Sequence, residues 1–222
     1  MPSIKPVLVE AAVESLDAAV AAERAGAQRI ELCARLDIGG TTPSMTLIES
    51  ALERLKIPVY VMVRPRGGDF VYTDDELNLM VNDSARVGRL GPAGIVTGAI
   101  GANGKVDRSI LSRLVDAAGD LPITFHRAFD ALADQQAALD ELIDIGVNRI
   151  LTAGGASSAL DGVERIATLV KRAGERITII AGGKVRAHNV AEVIHRSGVR
   201  EVHARYLSAR QMLDLVAAAR TA

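Results

Sequence analysis

Tryptophan is absent from this chain, phenylalanine and tyrosine number three each, and aromatics make up 3% of the residues. A surface that stacks nucleobases or other flat rings is poorly supplied, and no nucleotide cofactor is expected. Cysteine is nearly absent too. A single one, Cys33, excludes an internal disulfide and a thiolate cage around a metal. Neither sign of charge is in surplus: 26 Lys and Arg face 27 Asp and Glu, a net charge of −1. That balance argues against a general binder of nucleic-acid phosphates. The apolar stretches are flanked by charges and too short for a membrane span of ~20 residues. Met1–Glu14 lacks the basic start and apolar run of a signal peptide. Together these absences predict a cytoplasmic protein with neither nucleic acid nor membrane as partner.

What is present is a rhythm of short β-rich runs and longer amphipathic stretches. Val7–Ala11, Arg29–Cys33, Pro58–Val63 and Gly94–Gly98 read as strands. They alternate with helices over Ser15–Ala25, from near Pro43, over Asp74–Arg89 with Thr73 as N-cap, and over Asp107–Ala118. The second half repeats the pattern, with strands at Pro122–His126, Arg149–Ala153, Ile177–Ala181 and Glu201–Ala204. Its helices are expected over Asp134–Ile145, Ala159–Ala173, Ala187–Ser197 and Ser208–Ala219. No linker or charge block marks a second domain. Strict alternation suits an open doubly wound sheet or a closed barrel. The first strand runs into Ala11, Ala12, Val13 and Glu14 without the glycine fingerprint of the open sheet. A single (β/α)8 TIM-barrel domain over residues 1–222 is therefore expected.

Such barrels place their chemistry at the C-terminal ends of the strands. Glu10, Glu31, Cys33, Arg64, Arg66, Asp69, His126, Arg127, Asp130, Thr152, His203 and Arg205 occupy those ends and the loops beyond them. Side-chain alternation sharpens the selection. With Ile30, Leu32, Ile123, Phe125 and Val202 facing the helices, Glu31, Cys33, Thr124, His126 and His203 turn inward. Tyr60, Met62 and Arg64 share one face, assigned here to the interior. Glu10, Glu31, Arg64, His126 and His203 are thus expected in one polar pocket. Buried charges are costly unless paired, so such a set suggests either a binding pocket or a layer of ion pairs that plugs the barrel. The pairs Gly154-Gly155 and Gly182-Gly183 expose backbone at the corner where barrels often hold a phosphate or carboxylate, with Lys184 adding charge. Tight strand-to-helix turns also call for glycine on their own account.

Several motifs together resemble the CutC copper-homeostasis protein family. They are Glu31-Leu32-Cys33-Ala34 followed by Gly39-Gly40-Thr41-Thr42-Pro43-Ser44, Val63-Arg64-Pro65-Arg66-Gly67-Gly68-Asp69-Phe70, and Thr124-Phe125-His126-Arg127-Ala128-Phe129-Asp130. Arg149-Ile150-Leu151-Thr152-Ala153-Gly154-Gly155 and Val202-His203-Ala204 continue the likeness, which runs from about Leu8 to about Arg205. The resemblance implies a TIM barrel, a cytoplasmic homo-oligomer and copper as the ligand, with Cys33 as the one thiolate. His126, His203 or Met62 would be its partners. Cu(I) prefers sulfur, whereas most of the matched residues are hard groups suited to acid–base work and anion binding. The alternative expectation is an enzyme acting on a small polar or anionic metabolite. His126 or Glu31 would then be the acid or base with Glu10 as partner and His203 beside them. Arg64 and Arg66 would anchor the anion, and Asp69, Arg127, Asp130, Thr152, Gly154, Gly155, Gly182 and Gly183 would complete the substrate site.

Overall fold

The computed structural model describes residues 7–222. Met1–Pro6, the start of the stretch read above for a signal peptide, lie outside the described residues. Strands and helices alternate in the order β1 (Leu8–Val13), α1 (Leu16–Arg24), β2 (Arg29–Leu32), α2 (Met45–Arg54), β3 (Val59–Met62), α3 (Asp74–Leu90), β4 (Gly94–Thr97) and α4 (Arg108–Ala118). They continue as β5 (Ile123–Phe125), α5 (Gln135–Ile145), β6 (Arg149–Thr152), α6 (Val163–Ala173), β7 (Thr178–Gly182), α7 (Val190–Ser197), β8 (Glu201–Arg205) and α8 (Ala209–Arg220). All neighbouring strands are parallel, and β8 pairs with β1 to close the eight-stranded barrel. This is the TIM barrel expected from the alternation.

Most apolar burial lies between barrel and helices. Val9, Ile30, Ile123, Phe125, Ile150 and Val202 turn outward onto Ala22, Ile48, Leu114, Leu142 and Leu169 in one continuous core. Each large side chain buried there stabilises the fold by about 1.5–3 kcal/mol before entropy is counted. The inward residues include a second, small cluster of Cys33, Tyr60, Met62 and Val96. The remaining inward residues are largely polar, and they make the site.

Most helices begin on a side-chain cap. Ser15, Ser44, Thr73, Asp107, Asp134 and Ser208 each accept a hydrogen bond from a first-turn N–H, a contact worth about 1 kcal/mol. Ser15, Asp107, Asp134 and Ser208 were expected as first helical residues and are caps instead, and Pro43 precedes the Ser44 cap. Two starts come later than expected. α6 begins at Val163 rather than Ala159, because Ser157 and Ser158 donate to Asp161 and hold a turn ahead of it. α7 begins at Val190 rather than Ala187, because the Asn189 side chain accepts from Arg186 N–H and donates to the Lys184 carbonyl.

Candidate functional site

At the N-terminal end of the barrel, polar side chains pair with one another. Arg29, the first residue of β2, bridges Glu10 of β1 and Glu201 of β8. Arg149 of β6 approaches Glu201 at 3.8 Å. The two guanidinium groups lie over the Tyr60 ring, at 5.1 Å for Arg29 and 4.7 Å for Arg149. Two cations thus meet two carboxylates around one ring, a layer of net zero charge in which Arg149 Nε and Nη1 alone are buried without a hydrogen bond. Burial would raise the Glu10 carboxyl, but Arg29 and His203 outweigh it and hold Glu10 well below the ordinary range.

One layer higher the pairing is incomplete. His203 Nδ1 lies 2.7 Å from Glu10 Oε1 and 3.9 Å from Glu31 Oε2. The Cys33 thiol donates to Glu31 Oε1 at 3.4 Å, while the buried Glu31 Oε2 has no hydrogen-bond partner. Burial raises the Glu31 carboxyl, and His203 only partly opposes this. Burial lowers His203, but Glu31 and Glu10 together raise it above its ordinary value. A raised carboxyl thus lies 3.9 Å from a raised imidazole, a combination found where acid–base chemistry is carried out. Ligand atoms of Glu10, Glu31 and His203 lie within 4.8 Å of one another, close enough to share a metal ion.

Cys33 lies outside that group. It is fully buried, and burial followed by the charge of Glu31 raises its thiol well above the ordinary value. It is therefore a protonated thiol, whereas thiolate is the metal-binding form.

Above this floor opens a cavity of about 650 Å3, within the range of small-molecule sites. Glu31, Arg64, His126, Arg127, Asp130, Gly155, Gly183 and His203 border it, whereas Glu10, Arg66, Asp69, Thr152, Gly154 and Gly182 do not. His126 Nδ1 accepts from Ala128 N–H at 3.2 Å, which places the ring proton on Nε2. That Nε2 is buried without a partner. Burial, followed by the charge of Arg64, lowers His126 to about 3, so the ring is neutral.

Arg64 and Arg66 are engaged elsewhere. Arg64 donates to the carbonyls of Gly39 and Gly40 at 3.2 Å and of Gly68 at 2.8 Å, and it covers Phe70 at 4.7 Å. Its guanidinium ties two loops together at the cavity wall. Arg66 pairs with Glu76 at 2.6 Å and with the exposed Asp69 at 3.1 Å, outside the cavity.

The β5 and β6 corners are fixed by Asp130. Its carboxylate accepts from Thr152 Oγ1 at 2.5 Å, Gly155 N–H at 2.9 Å and Arg127 Nε at 2.8 Å. Thr152 is fully buried behind it and accepts from Gly154 N–H at 2.8 Å. Gly154, at φ +68°, needs its bare backbone because a Cβ there would meet the Gly162 carbonyl at 2.5 Å.

Sequence reasoning left two groups out of its site. Arg29, Arg149 and Glu201 share inward parity with Glu31, Leu151 and His203, and that alternation was the signal available. They lie at the strand starts, where no chemistry was expected. Lys184, Arg186 and Arg205 border the cavity. Lys184 and Arg205 were noted as charges near strand ends, but nothing in the sequence distinguishes Arg186 from other loop arginines.

The chain matches the model of the CutC family over residues 7–208. It is 47% identical to a family protein CutC of Xanthomonas campestris pv. campestris over 88% of this chain and 82% of that one. It is 43% identical to the human copper homeostasis protein cutC homolog over 91% of this chain and 74% of that one. The crystal structure of CutC from Streptococcus agalactiae superposes with a TM-score of 0.85 at 37% identity, covering 89% of this chain and 97% of that chain. This chain belongs to the CutC family.

Proposed function

We propose that this chain serves copper homeostasis, the role carried in the name of its human relative, and that copper meets it at Glu10, Glu31 and His203 rather than at Cys33. Glu31 Oε2 carries the reading, since it is a buried carboxylate oxygen without a hydrogen-bond partner, 3.9 Å from His203 Nδ1. Two carboxylates and an imidazole suit a divalent ion, whereas Cu(I) favours sulfur. Glu10 Oε2 holds Arg29 and Oε1 meets His203 Nδ1, so a bound ion would take the place of the Glu10–His203 contact. Titration with Cu(II) against a competing chelator should give one equivalent that Glu31→Gln or His203→Gln removes and Cys33→Ser leaves intact. No binding, or loss only in Cys33→Ser, would overturn the assignment. Cells lacking the chain should grow more poorly in excess copper and recover with wild type but not with His203→Gln. A cytoplasmic location and a homo-oligomer belong to the same reading, and a monomeric mass by light scattering would remove the latter. Among the described residues no helix is long and apolar enough to cross a membrane.

A second reading, an enzyme working by His/Glu acid–base chemistry on a small polar or anionic metabolite, is favoured by one observation. The neutral His126 has an unpartnered Nε2 and, with the raised carboxyl of Glu31, borders the same cavity. Turnover of a small anionic substrate that falls in His126→Gln and Glu31→Gln would support it. Undiminished turnover in both would contradict it.

A further inference from the structure

Three cations at the β7 and β8 corners of the cavity remain unpaired. Lys184 and Arg186 follow β7, Arg205 ends β8, and all three border the cavity. Among the described residues no carboxylate lies within ion-pair distance of any of them, and the charge acting with Lys184 is that of Asp161, whose carboxyl is lowered by hydrogen bonds from Ser158 and Ser157 and then by Lys184. Arg186 and Arg205 each make a single hydrogen bond, to the carbonyls of Val185 at 2.7 Å and of Leu36 at 3.3 Å. Burial, and then repulsion from Arg205, lowers Arg186 below its ordinary value. Arg186 is half-buried, Lys184 and Arg205 are exposed at the rim, and cations that line one cavity without carboxylate partners suit an anion.

The backbone here is also arranged for close approach. Gly183 adopts φ +108°, and a Cβ on it would lie 3.0 Å from Ala153 Cβ and 3.7 Å from Arg127 Cζ. Lys184 follows at φ +54°, a left-handed conformation uncommon outside glycine. Among the described residues, the N–H groups of Gly183 and Lys184 donate to no protein acceptor.

We propose that Lys184, Arg186 and Arg205, with the Gly183-Lys184 backbone, form a subsite for the phosphoryl group of a small non-nucleotide phosphate monoester whose remainder reaches Glu31 and His203. Charge selects phosphate over carboxylate: three unpaired cations are better matched by a dianion than by a single negative charge. Aromatic supply argues against a nucleotide. Phe70 is the one phenyl ring bordering the cavity, and Arg64 at 4.7 Å and His126 at 5.0 Å already pack against it. The proposal deepens the enzyme reading and rests on it for chemistry at the floor, while the anion contact depends on the rim alone.

Calorimetric titration of the full chain with inorganic phosphate, glycerol 3-phosphate, glycerol and acetate tests it. Both phosphates should bind and glycerol should not, with acetate at least about tenfold weaker than phosphate. Arg186→Gln and Arg205→Gln should each weaken phosphate binding by about tenfold or more. Arg113→Gln, which removes an exposed cation on α4, should bind like wild type, and circular dichroism of each variant checks that the barrel is intact. Tighter binding of the ester than of inorganic phosphate identifies the monoester as ligand, whereas equal binding identifies free phosphate and overturns that part of the proposal. No phosphate binding, or binding unchanged in a folded variant carrying both Arg186→Gln and Arg205→Gln, overturns the subsite. Glu31→Gln separates the two levels: retained phosphate binding with lost turnover supports both, and unchanged turnover defeats the enzyme reading while leaving the subsite standing.

Discussion

The two ends of the barrel interior use the same residue types to opposite effect. At the base, Arg29 and Arg149 meet Glu10 and Glu201 around Tyr60, and positive and negative charges cancel. At the mouth, Arg186, Arg205 and Lys184 face one cavity with no carboxylate in ion-pair contact, and Glu31 and His126 each keep a buried polar atom unsatisfied. The sequence suggested two explanations for inward charge, a plug of ion pairs and a binding pocket. The molecule has an ion-paired layer below and a polar cavity above, with Glu10 joining the two. Paired charges support the fold, and in the proposed reading the less paired ones above them serve a ligand.

Breaking the base should have the largest effect. Arg29→Ala leaves the buried Glu10 and the half-buried Glu201 without their main partner, so unfolding in denaturant should show a loss of about 3–5 kcal/mol. A loss below about 1 kcal/mol would mean that the base is not a structural layer.

A pH series addresses the mouth. His126 falls from 6.5 to about 3 on folding, so the unfolded chain binds a proton in that window and the folded chain does not. Its contribution to stability is fully present above pH 6.5 and falls by roughly 1.4 kcal/mol per pH unit as pH drops towards 3. His126→Gln should flatten that slope, and an unchanged slope would show that the ring is not held neutral.

The smallest effect is expected outside both layers. Arg66→Ala removes exposed ion pairs to Asp69 and Glu76 and should cost less than about 1 kcal/mol, with ligand binding at the mouth unchanged. Lost binding would move Arg66 back into the site.

The fold was legible because each strand carries an outward apolar set that fixes its phase. Ile30 and Leu32 turn Glu31 inward, and Ile123 and Phe125 do the same for Thr124 and His126. Helix starts were less legible, since a serine or aspartate can serve as first residue or as cap, and Ser157, Ser158 and Asp161 bind one another instead of starting α6. The site was legible in its floor and less so in its rim. Arg64 and Arg186 are both arginines beside a strand end. Only the carbonyls of Gly39, Gly40 and Gly68 show that Arg64 is occupied, and they come from distant loops that the sequence does not place. Cys33 was legible as inward but not as sealed against the Gly40 loop.

The claim that the mouth holds its charges for a ligand and not for the fold is tested most directly by the unfolding free energy of Glu31→Gln. The substitution keeps an acceptor for the Cys33 thiol and removes a carboxylate whose charged form burial disfavours. The account predicts stability equal to wild type or higher by about 1 kcal/mol. A loss of several kcal/mol, comparable to that of Arg29→Ala, would show that the mouth is a second structural layer and would contradict it.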